Sequence, residues 1–107
     1  MESKNVKLVV FVPVSHAGAV RGALGEAGAG TIGNYDFCSF TSSGTGRFRP
    51  NEKAHPTIGG VGKQEEVEEE KIEVLVPRKI LREVIARIKA VHPYEEVALD
   101  VYALEDV

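Results

Sequence analysis

The segment His92-Pro-Tyr-Glu-Glu96 is the densest group of side chains that could do chemistry. An imidazole, a phenol and two carboxylates can bind a divalent ion or transfer protons. Glu95 and Glu96 are adjacent, so on a strand their side chains would point in opposite directions. We therefore interpret the segment as a helix stop and turn, with His92 near the helix C-terminus. Contact between this segment and a ligand stays open as the functional alternative.

A metal site would have to draw its ligands from distant parts of the chain. The other two histidines, His16 and His55, form no H-x-H or H-x-x-x-H spacing. The ligands would then be His92 with Glu95 or Glu96, completed by His16 or His55. Divalent-metal binding is therefore the alternative function, and no cofactor is otherwise required.

Two glycine motifs resemble nucleotide-binding sequences only superficially. Gly28–Gly33 matches G-x-G-x-x-G, but that fingerprint binds phosphates where it follows a strand and opens a helix. Here it follows a predicted helix and precedes a predicted strand, which indicates a helix end and a tight turn. Gly59–Lys63 lacks the first glycine of a phosphate loop, and Gln64 stands where Ser or Thr would bind the metal.

No pair of nucleophile and base is evident in the sequence. Cys38 is the single cysteine, has no histidine near it in sequence, and lies in a predicted strand, which favours a small core residue over a nucleophile. A hydrolase acting on a nucleotide-like substrate is therefore the last of the three functions considered, and no catalytic residue is assigned. The sequence does not decide whether the chain is an enzyme, but it favours a protein without catalytic activity.

Composition narrows the classes of protein and of partner. The chain has 107 residues and 43% apolar residues, which predicts one domain over residues 1–107. Its net charge of −3 argues against a nucleic-acid partner bound by phosphate neutralisation. One cysteine excludes a disulfide framework, and no apolar run is long enough to cross a membrane. The polar stretch Met1 to Lys7 predicts a cytoplasmic protein.

The elements that must position these residues follow from hydrophobic periodicity. The first half predicts a strand over Lys7–Val14, a helix from the N-cap Ser15 to Gly28, and a strand over Tyr35–Ser42. Helical glycines, such as Gly18, cost stability or allow close approach to the sheet.

The second half begins with the glycine-rich excursion Gly44–Lys63, which reads as a long loop between strands 2 and 3. A strand follows over Glu65–Val76, with an acidic start that projects beyond the core. The helix behind Pro77 has the best apolar stripe in the chain, and Val97–Leu104 forms the last strand.

The order β-α-β-β-α-β predicts an α+β, ferredoxin-like sandwich with a four-stranded antiparallel sheet and both helices on one face. The other face then carries one of two apolar sets from the first strand, Leu8, Val10 and Val12 or Val9 and Phe11, joined by Phe37 or Phe40. An exposed apolar face of this kind predicts contact with further copies of the chain.

Several ordered motifs resemble one family. They are Gly28-Ala-Gly-Thr-Ile-Gly-Asn-Tyr35, Cys38-Ser-Phe40, Gly44-Thr-Gly46, Phe48, Pro50, Pro56-Thr-Ile-Gly59 and His92–Glu96. Together they resemble the domain inserted between the two halves of YqfO-type members of the Nif-three-like proteins, here as a stand-alone chain. That inserted domain is similar in fold to the CutA and PII signalling proteins, which implies a homo-oligomer, with a trimer favoured. The metal ligands of full-length relatives lie in the flanking halves and match no residue here.

We therefore predict a non-enzymatic regulatory or ligand-binding module that binds an unidentified small ligand or ion between subunits. The ferredoxin-like order is expected to place both helix C-termini at one edge of the sheet, beside the glycine-rich loop. The candidate ligand-binding residues come from these three stretches: Gly28, Gly30, Gly33, Asn34, Tyr35, Phe40, Gly44, Gly46, Pro56, Gly59, His92, Tyr94, Glu95 and Glu96.

Overall fold

Four antiparallel strands in the order β2-β3-β1-β4 form the sheet in a computed structural model that describes residues 1–107. The two central strands belong to different halves of the chain, as the ferredoxin-like prediction requires, and that prediction is confirmed. The elements are β1 (Glu2–Pro13), α1 (Val14–Glu26), β2 (Phe40–Phe48), β3 (Glu65–Pro77), a 3₁₀ turn (Arg78–Ile80), α2 (Leu81–Val91) and β4 (Leu99–Glu105).

The core lies between the helices and one face of the sheet. Alternate residues of β1, including Leu8, Val10 and Val12, are fully buried there, because successive side chains of a strand point to opposite faces. Val84 and Ile88 of α2 complete the same cluster, so the apolar stripe predicted for this helix is its buried stripe. Of the two sets predicted for β1, Leu8, Val10 and Val12 therefore face the helices.

The sheet face away from the helices mixes apolar and charged side chains. Val9 is 2% exposed at its centre, opposite Glu73 on β3 and Asp100 on β4. Phe40 also pairs with Glu73, and so joins Val9 and Phe11 on this open face as predicted. Phe37 does not join them, because its ring packs over Gly25 of α1.

The start of α1 differs from the prediction, whereas its end agrees with it. The helix begins at Val14, and Ser15 does not cap it, because its hydroxyl pairs with His16 Nδ1 at 2.8 Å. The fixed φ of Pro13, −55°, leads the strand directly into the helix. At the other end the N–H groups of Gly28 and Ala29 donate to the carbonyl oxygens of Gly25 and Leu24, which is the Schellman arrangement.

The glycines inside α1 do not serve close contact with the sheet. A Cβ on Gly18 or Gly22 would meet nothing within 4 Å, and Gly25 lies against Phe37 rather than against a strand. The alternative that these glycines admit the sheet backbone is therefore wrong. Gly18 and Gly22 therefore lower the stability of the helix, and no close packing contact at either glycine compensates for this.

The second strand lies further along the chain than predicted. β2 covers Phe40–Phe48, so Gly44–Phe48 belongs to the sheet and not to the excursion. Before β2, Ile32 and Tyr35 exchange two backbone hydrogen bonds in a tight turn, and Phe37 takes a φ of +55°. The placement of Cys38 in a strand is therefore wrong; it lies in the loop ahead of β2.

The hairpin of β2 and β3 extends past the core, as predicted from the acidic start of β3. β2 pairs with β3 from Glu65 onward, whereas β1 pairs with β3 only as far as Glu69. The longest helix has 13 residues, and neither helix is long and apolar enough to cross a membrane.

Candidate ligand site

The candidate site residues separate into two groups at opposite ends of the sheet. Gly30 donates its N–H to Leu75 O at 2.7 Å, and Leu75 pairs with Lys7 of β1. His92 bonds instead to Phe11 O at 2.8 Å, four residues further along β1, or about 13 Å at the usual rise of a strand. The expectation that both helix ends meet at one edge is wrong. Strands alternate in direction in an antiparallel sheet, so the two crossing helices run in opposite directions.

Gly28, Gly33, Asn34 and Tyr35 lie with Gly30 and thus belong to the first group, away from the second helix end. Phe40 lies mid-sheet opposite Glu73. The remaining candidates, from Gly44 to Gly59 and from His92 to Glu96, lie at the second end.

His92 fixes the turn after α2 from a buried position. It is 7% exposed, its Nε2 bonds to Phe11 O, and its Nδ1 accepts the backbone N–H of Tyr94 at 3.2 Å. Because Nδ1 accepts, the proton sits on Nε2, which donates to the carbonyl oxygen. Both ring nitrogens are therefore occupied within the chain. His92 thus positions Tyr94 and offers no free ring nitrogen to a ligand.

Tyr94 and Glu69 form the polar centre at this end of the sheet. The phenol hydroxyl donates to Glu69 Oε2 at 3.1 Å. The Tyr94 ring also lies 5.8 Å from the ring of Phe48, centroid to centroid, and 5.2 Å from that of His92. Burial, followed by the negative charge of Glu69 and its hydrogen bond, raises the pKa of Tyr94 to about 12.

Replacing Glu69 by glutamine is expected to lower the pKa of Tyr94 from about 12 toward 10. The pKa should stay above 10, because burial, the largest cause of the rise, remains. A raised phenol pKa stabilises the fold below pH 10, and this contribution is lost as the pH rises through 12. Without the Glu69 carboxylate, this stabilisation should be smaller and should be lost at a lower pH.

Titration of the Tyr94 ring signals by NMR measures this pKa directly. Glu68→Gln is the matched control, because Glu68 is exposed on the same strand and makes no contact with Tyr94. An unchanged Tyr94 pKa in Glu69→Gln would contradict the assigned geometry.

The segment between β2 and β3 is held against the turn after α2 by few polar contacts. The N–H of His55 donates to Glu95 Oε1 at 2.8 Å, and the Thr57 hydroxyl donates to Pro93 O at 2.7 Å. Contact between Phe48 and Tyr94 adds an aromatic wall below these bonds. The segment therefore roofs a cavity between itself, the hairpin and the turn.

This cavity has a volume of about 360 Å³. Five of the predicted candidates line it: Gly46, Pro56, Tyr94, Glu95 and Glu96. The other candidates, including His92 and Gly59, do not line it. The complete lining is Phe11, Gly46, Arg47, Phe48, Arg49, Pro50, Asn51, Ala54, Pro56, Thr57, Ile58, Glu69, Tyr94, Glu95, Glu96 and Ala98.

Most of the lining residues that the sequence did not predict lie in two stretches, the glutamate run of β3 and the excursion Gly44–Lys63. Glu69 belonged to a glutamate run that reads as a solvated strand end, although its carboxylate lies directly over Gly46. Pro50 and Ile58 lay in the excursion, which carries no period. The Phe48 and Pro50 motif was a usable signal, because it is the only place in the excursion where an aromatic residue is followed closely by a proline.

The residues proposed as metal ligands do not gather. No group of three or more His, Cys, Asp or Glu side chains is placed to hold a metal ion. His16 bonds to Ser15 at the start of α1, and His55 reaches Glu95 only through its backbone. One copy of the chain thus offers no assembled metal centre.

Comparison with known proteins places the chain among relatives of greater length. No protein-family model matches it. A Halalkalibacterium halodurans protein named GTP cyclohydrolase 1 type 2 homolog is 54% identical over 98 residues, which is 92% of this chain but 26% of that protein. A Bacillus subtilis protein of the same name is 48% identical over 99 residues, again 26% of its length.

A comparison with solved structures finds the same relatives. A crystal structure of a Bacillus cereus protein related to NIF3 superposes with a TM-score of 0.84 and 50% identity, covering 99% of this chain and 27% of that one. The chain is a relative of one segment of the NIF3-related proteins. The resemblance to that family stated above is confirmed. The chain spans about a quarter of the length of the curated relatives it matches, so their whole-protein activity does not follow from the match.

The fold likeness extends further than the sequence likeness. The divalent cation tolerance protein CutA of Archaeoglobus fulgidus superposes with a TM-score of 0.70 at 18% identity, over 96% of this chain and 86% of that one. This match shows the fold alone and confirms the CutA-like architecture.

Proposed function

We propose that the chain is a non-enzymatic ligand-binding module that regulates through a small molecule held in the cavity beside Tyr94. The observation that carries the proposal is the cavity itself. Its volume of about 360 Å³ falls within the range of small-molecule sites. Apolar walls with a few convergent polar groups are also typical of such sites.

The polar groups at the cavity favour binding over chemistry. Tyr94 is held protonated against Glu69, and His92, whose ring lies 5.2 Å from that of Tyr94, has both nitrogens bonded inside the chain. Cys38 lies at the opposite end of the sheet, where its N–H bonds to Gly30 O. A free single thiol suits a reducing compartment, which supports a cytoplasmic location as part of this proposal.

A set of small metabolites should reveal this site by amide NMR. At least one compound is expected to shift the signals of Gly46, Thr57 and Tyr94 together, because these residues line one cavity. The amides of Gly30 and Gly33, which lie at the opposite end of the sheet from the cavity, serve as controls. Shifts scattered over the surface, or none with any compound, would contradict the proposed function.

The same proposal includes assembly with further copies through the open sheet face. Phe40 is 66% exposed and Tyr102 is 55% exposed at its two flanks. Lys7 and Lys71 lie on this face together with Glu73 and Asp100, as the register shows, so a second copy can match charges while it covers the rings. The trimeric order comes from the resemblance to the CutA and PII proteins.

Sedimentation equilibrium at micromolar concentration tests the assembly, with three times the chain mass as the expected result. Phe40→Lys should raise the dissociation constant at least tenfold, which is about 1.4 kcal/mol, because it puts a charge where apolar surface is to be covered. Tyr35→Lys is the matched control, since Tyr35 is 75% exposed but lies off this face. A monomeric parent protein would remove the assembly from the proposal.

A further inference from the structure

We infer that the ligand of the cavity is a small organic cation, such as an amine or an amidine, that carries a flat apolar body. This inference rests on the proposed function and specifies the chemical class of the ligand. Two properties of the lining lead to it. The walls suit a flat apolar body, and the free polar groups that face the space are mainly carboxylates.

The apolar part of the lining consists mainly of aromatic rings and prolines. Phe48 and Tyr94 contact each other at 5.8 Å between centroids, and Pro50, Pro56 and Ile58 complete the apolar surface. Rigid rings of this kind receive planar groups without a large entropic cost. The faces of Phe48 and Tyr94 also attract a cation, which a neutral aliphatic wall would not do.

The inner carboxylate is available to a ligand. Glu69 uses Oε2 to accept the Tyr94 hydroxyl, whereas Oε1 has no hydrogen bond and no salt bridge within the chain. The carboxylate lies over Gly46, where even a Cβ would collide with it, so the absence of a side chain at Gly46 keeps this carboxylate in place. A positively charged donor can therefore reach Glu69 Oε1 across the cavity.

The other charged side chains that line the cavity also make it negative overall. Glu96 has no partner in the chain, and Glu95 uses only Oε1, to accept the His55 N–H. Of the two arginines, Arg47 is paired with Glu66 at 3.3 Å, which leaves Arg49 as the single unpaired cation. Three carboxylates thus face one free guanidinium.

This balance argues against an anionic ligand. A phosphate group in the cavity would stand near Glu69, Glu95 and Glu96, and like charges repel one another. The raised pKa of Tyr94 has the same origin in part, because the charge of Glu69 resists a second negative charge beside it. A cation with an apolar body meets both features of the lining at once.

Three isosteric probes separate the charge from the shape. Benzamidine is the cation, benzamide the neutral analogue and benzoate the anion, and each is titrated into the chain with amide NMR as the readout. Benzamidine is expected to shift Gly46, Thr57 and Tyr94 and to bind at least tenfold more tightly than benzamide. Benzoate is expected to leave these signals unchanged.

The variants assign the effect to Glu69. Glu69→Gln should weaken benzamidine binding about tenfold or more, the usual loss of one charge-assisted hydrogen bond, and Glu68→Gln less than twofold. Glu95→Gln, at the rim, supplies a second test should Glu69→Gln disturb the fold.

Equal binding of benzamidine and benzamide in the cavity would overturn the cation inference and leave the proposed function standing. Tighter binding of benzoate, or full benzamidine affinity in both glutamine variants, would overturn it as well. Cavity shifts with other metabolites but none with benzamidine would do the same. Absence of cavity shifts with every compound would overturn the inference together with the proposed function.

Discussion

Replacement of His92 by alanine is expected to lower the free energy of unfolding by about 3 kcal/mol, the size of effect seen when a large buried side chain is truncated and its partners lose their hydrogen bonds. His92 is 7% exposed and holds three elements together. It ends α2, bonds to β1 at Phe11 O, and receives the N–H of Tyr94. No other side-chain hydrogen bond joins β1 to the end of α2.

Two effects of His92→Ala both lower the free energy of unfolding. Removing the ring leaves space beside Tyr94, whose ring lies 5.2 Å from that of His92, and surrounding groups refill such space only in part. Phe11 O and the Tyr94 N–H also lose their partner in a half-buried region, and an unpaired buried polar group costs about 1–3 kcal/mol.

Urea denaturation measures the change as a shift in midpoint at constant slope. His55→Ala is the matched control, because the imidazole of His55 is exposed and only its backbone N–H is bonded. We expect the control to change stability by less than about 0.5 kcal/mol, as surface substitutions do. Equal effects of the two substitutions would show that His92 does not join these elements.

Hydrophobic patterning was sufficient to predict most of the fold. The alternation in β1 and the stripe in α2 are strong signals because each is set by one buried face, and the structure buries those faces. A strand apolar on both sides must lie in the centre of a sheet, and β1 does so between β3 and β4. The order of the elements then left few topologies to consider.

The boundary of β2 was not predictable, since local propensity there opposes the tertiary contacts. Tyr35 and Phe37 are strand formers in isolation. In the fold they lie in a turn, because Cys38 N–H is bonded to Gly30 O and holds the segment against the end of α1. That bond joins positions whose proximity depends on the helix end, and no pattern within the segment encodes it.

The cavity was predicted in part for a similar reason. Tyr94, Glu95 and Glu96 stood out as a polar cluster, but Glu69 is 25 residues away in sequence and reached the site only through the register of the sheet. The separation of Gly28 from His92, by contrast, was predictable from the topology alone. An antiparallel sheet of this order already requires the two helices to run in opposite directions.

The loop ahead of β2 depends on one glycine, and Gly30→Ala is expected to destabilise the fold by about 3 kcal/mol, the combined size of a left-handed backbone penalty and a steric clash. Gly30 has a φ of +80°, is buried, and lies between the end of α1 and β3. Its N–H donates to Leu75 O at 2.7 Å, and its carbonyl oxygen accepts the Cys38 N–H at 2.9 Å.

A Cβ at this position would collide with the carbonyl oxygen of Cys38, a backbone atom that cannot rotate away. Relief of the collision therefore has to break one of the two hydrogen bonds of Gly30, which detaches the loop from β3 or from α1. Gly33→Ala is the matched control, since Gly33 also has a positive φ, +58°, but open space where a Cβ would stand. The control should lose only the backbone penalty of about 1–2 kcal/mol. Urea denaturation of both variants decides the matter: a loss in Gly30→Ala no larger than that in Gly33→Ala would mean that the loop is not held through Gly30.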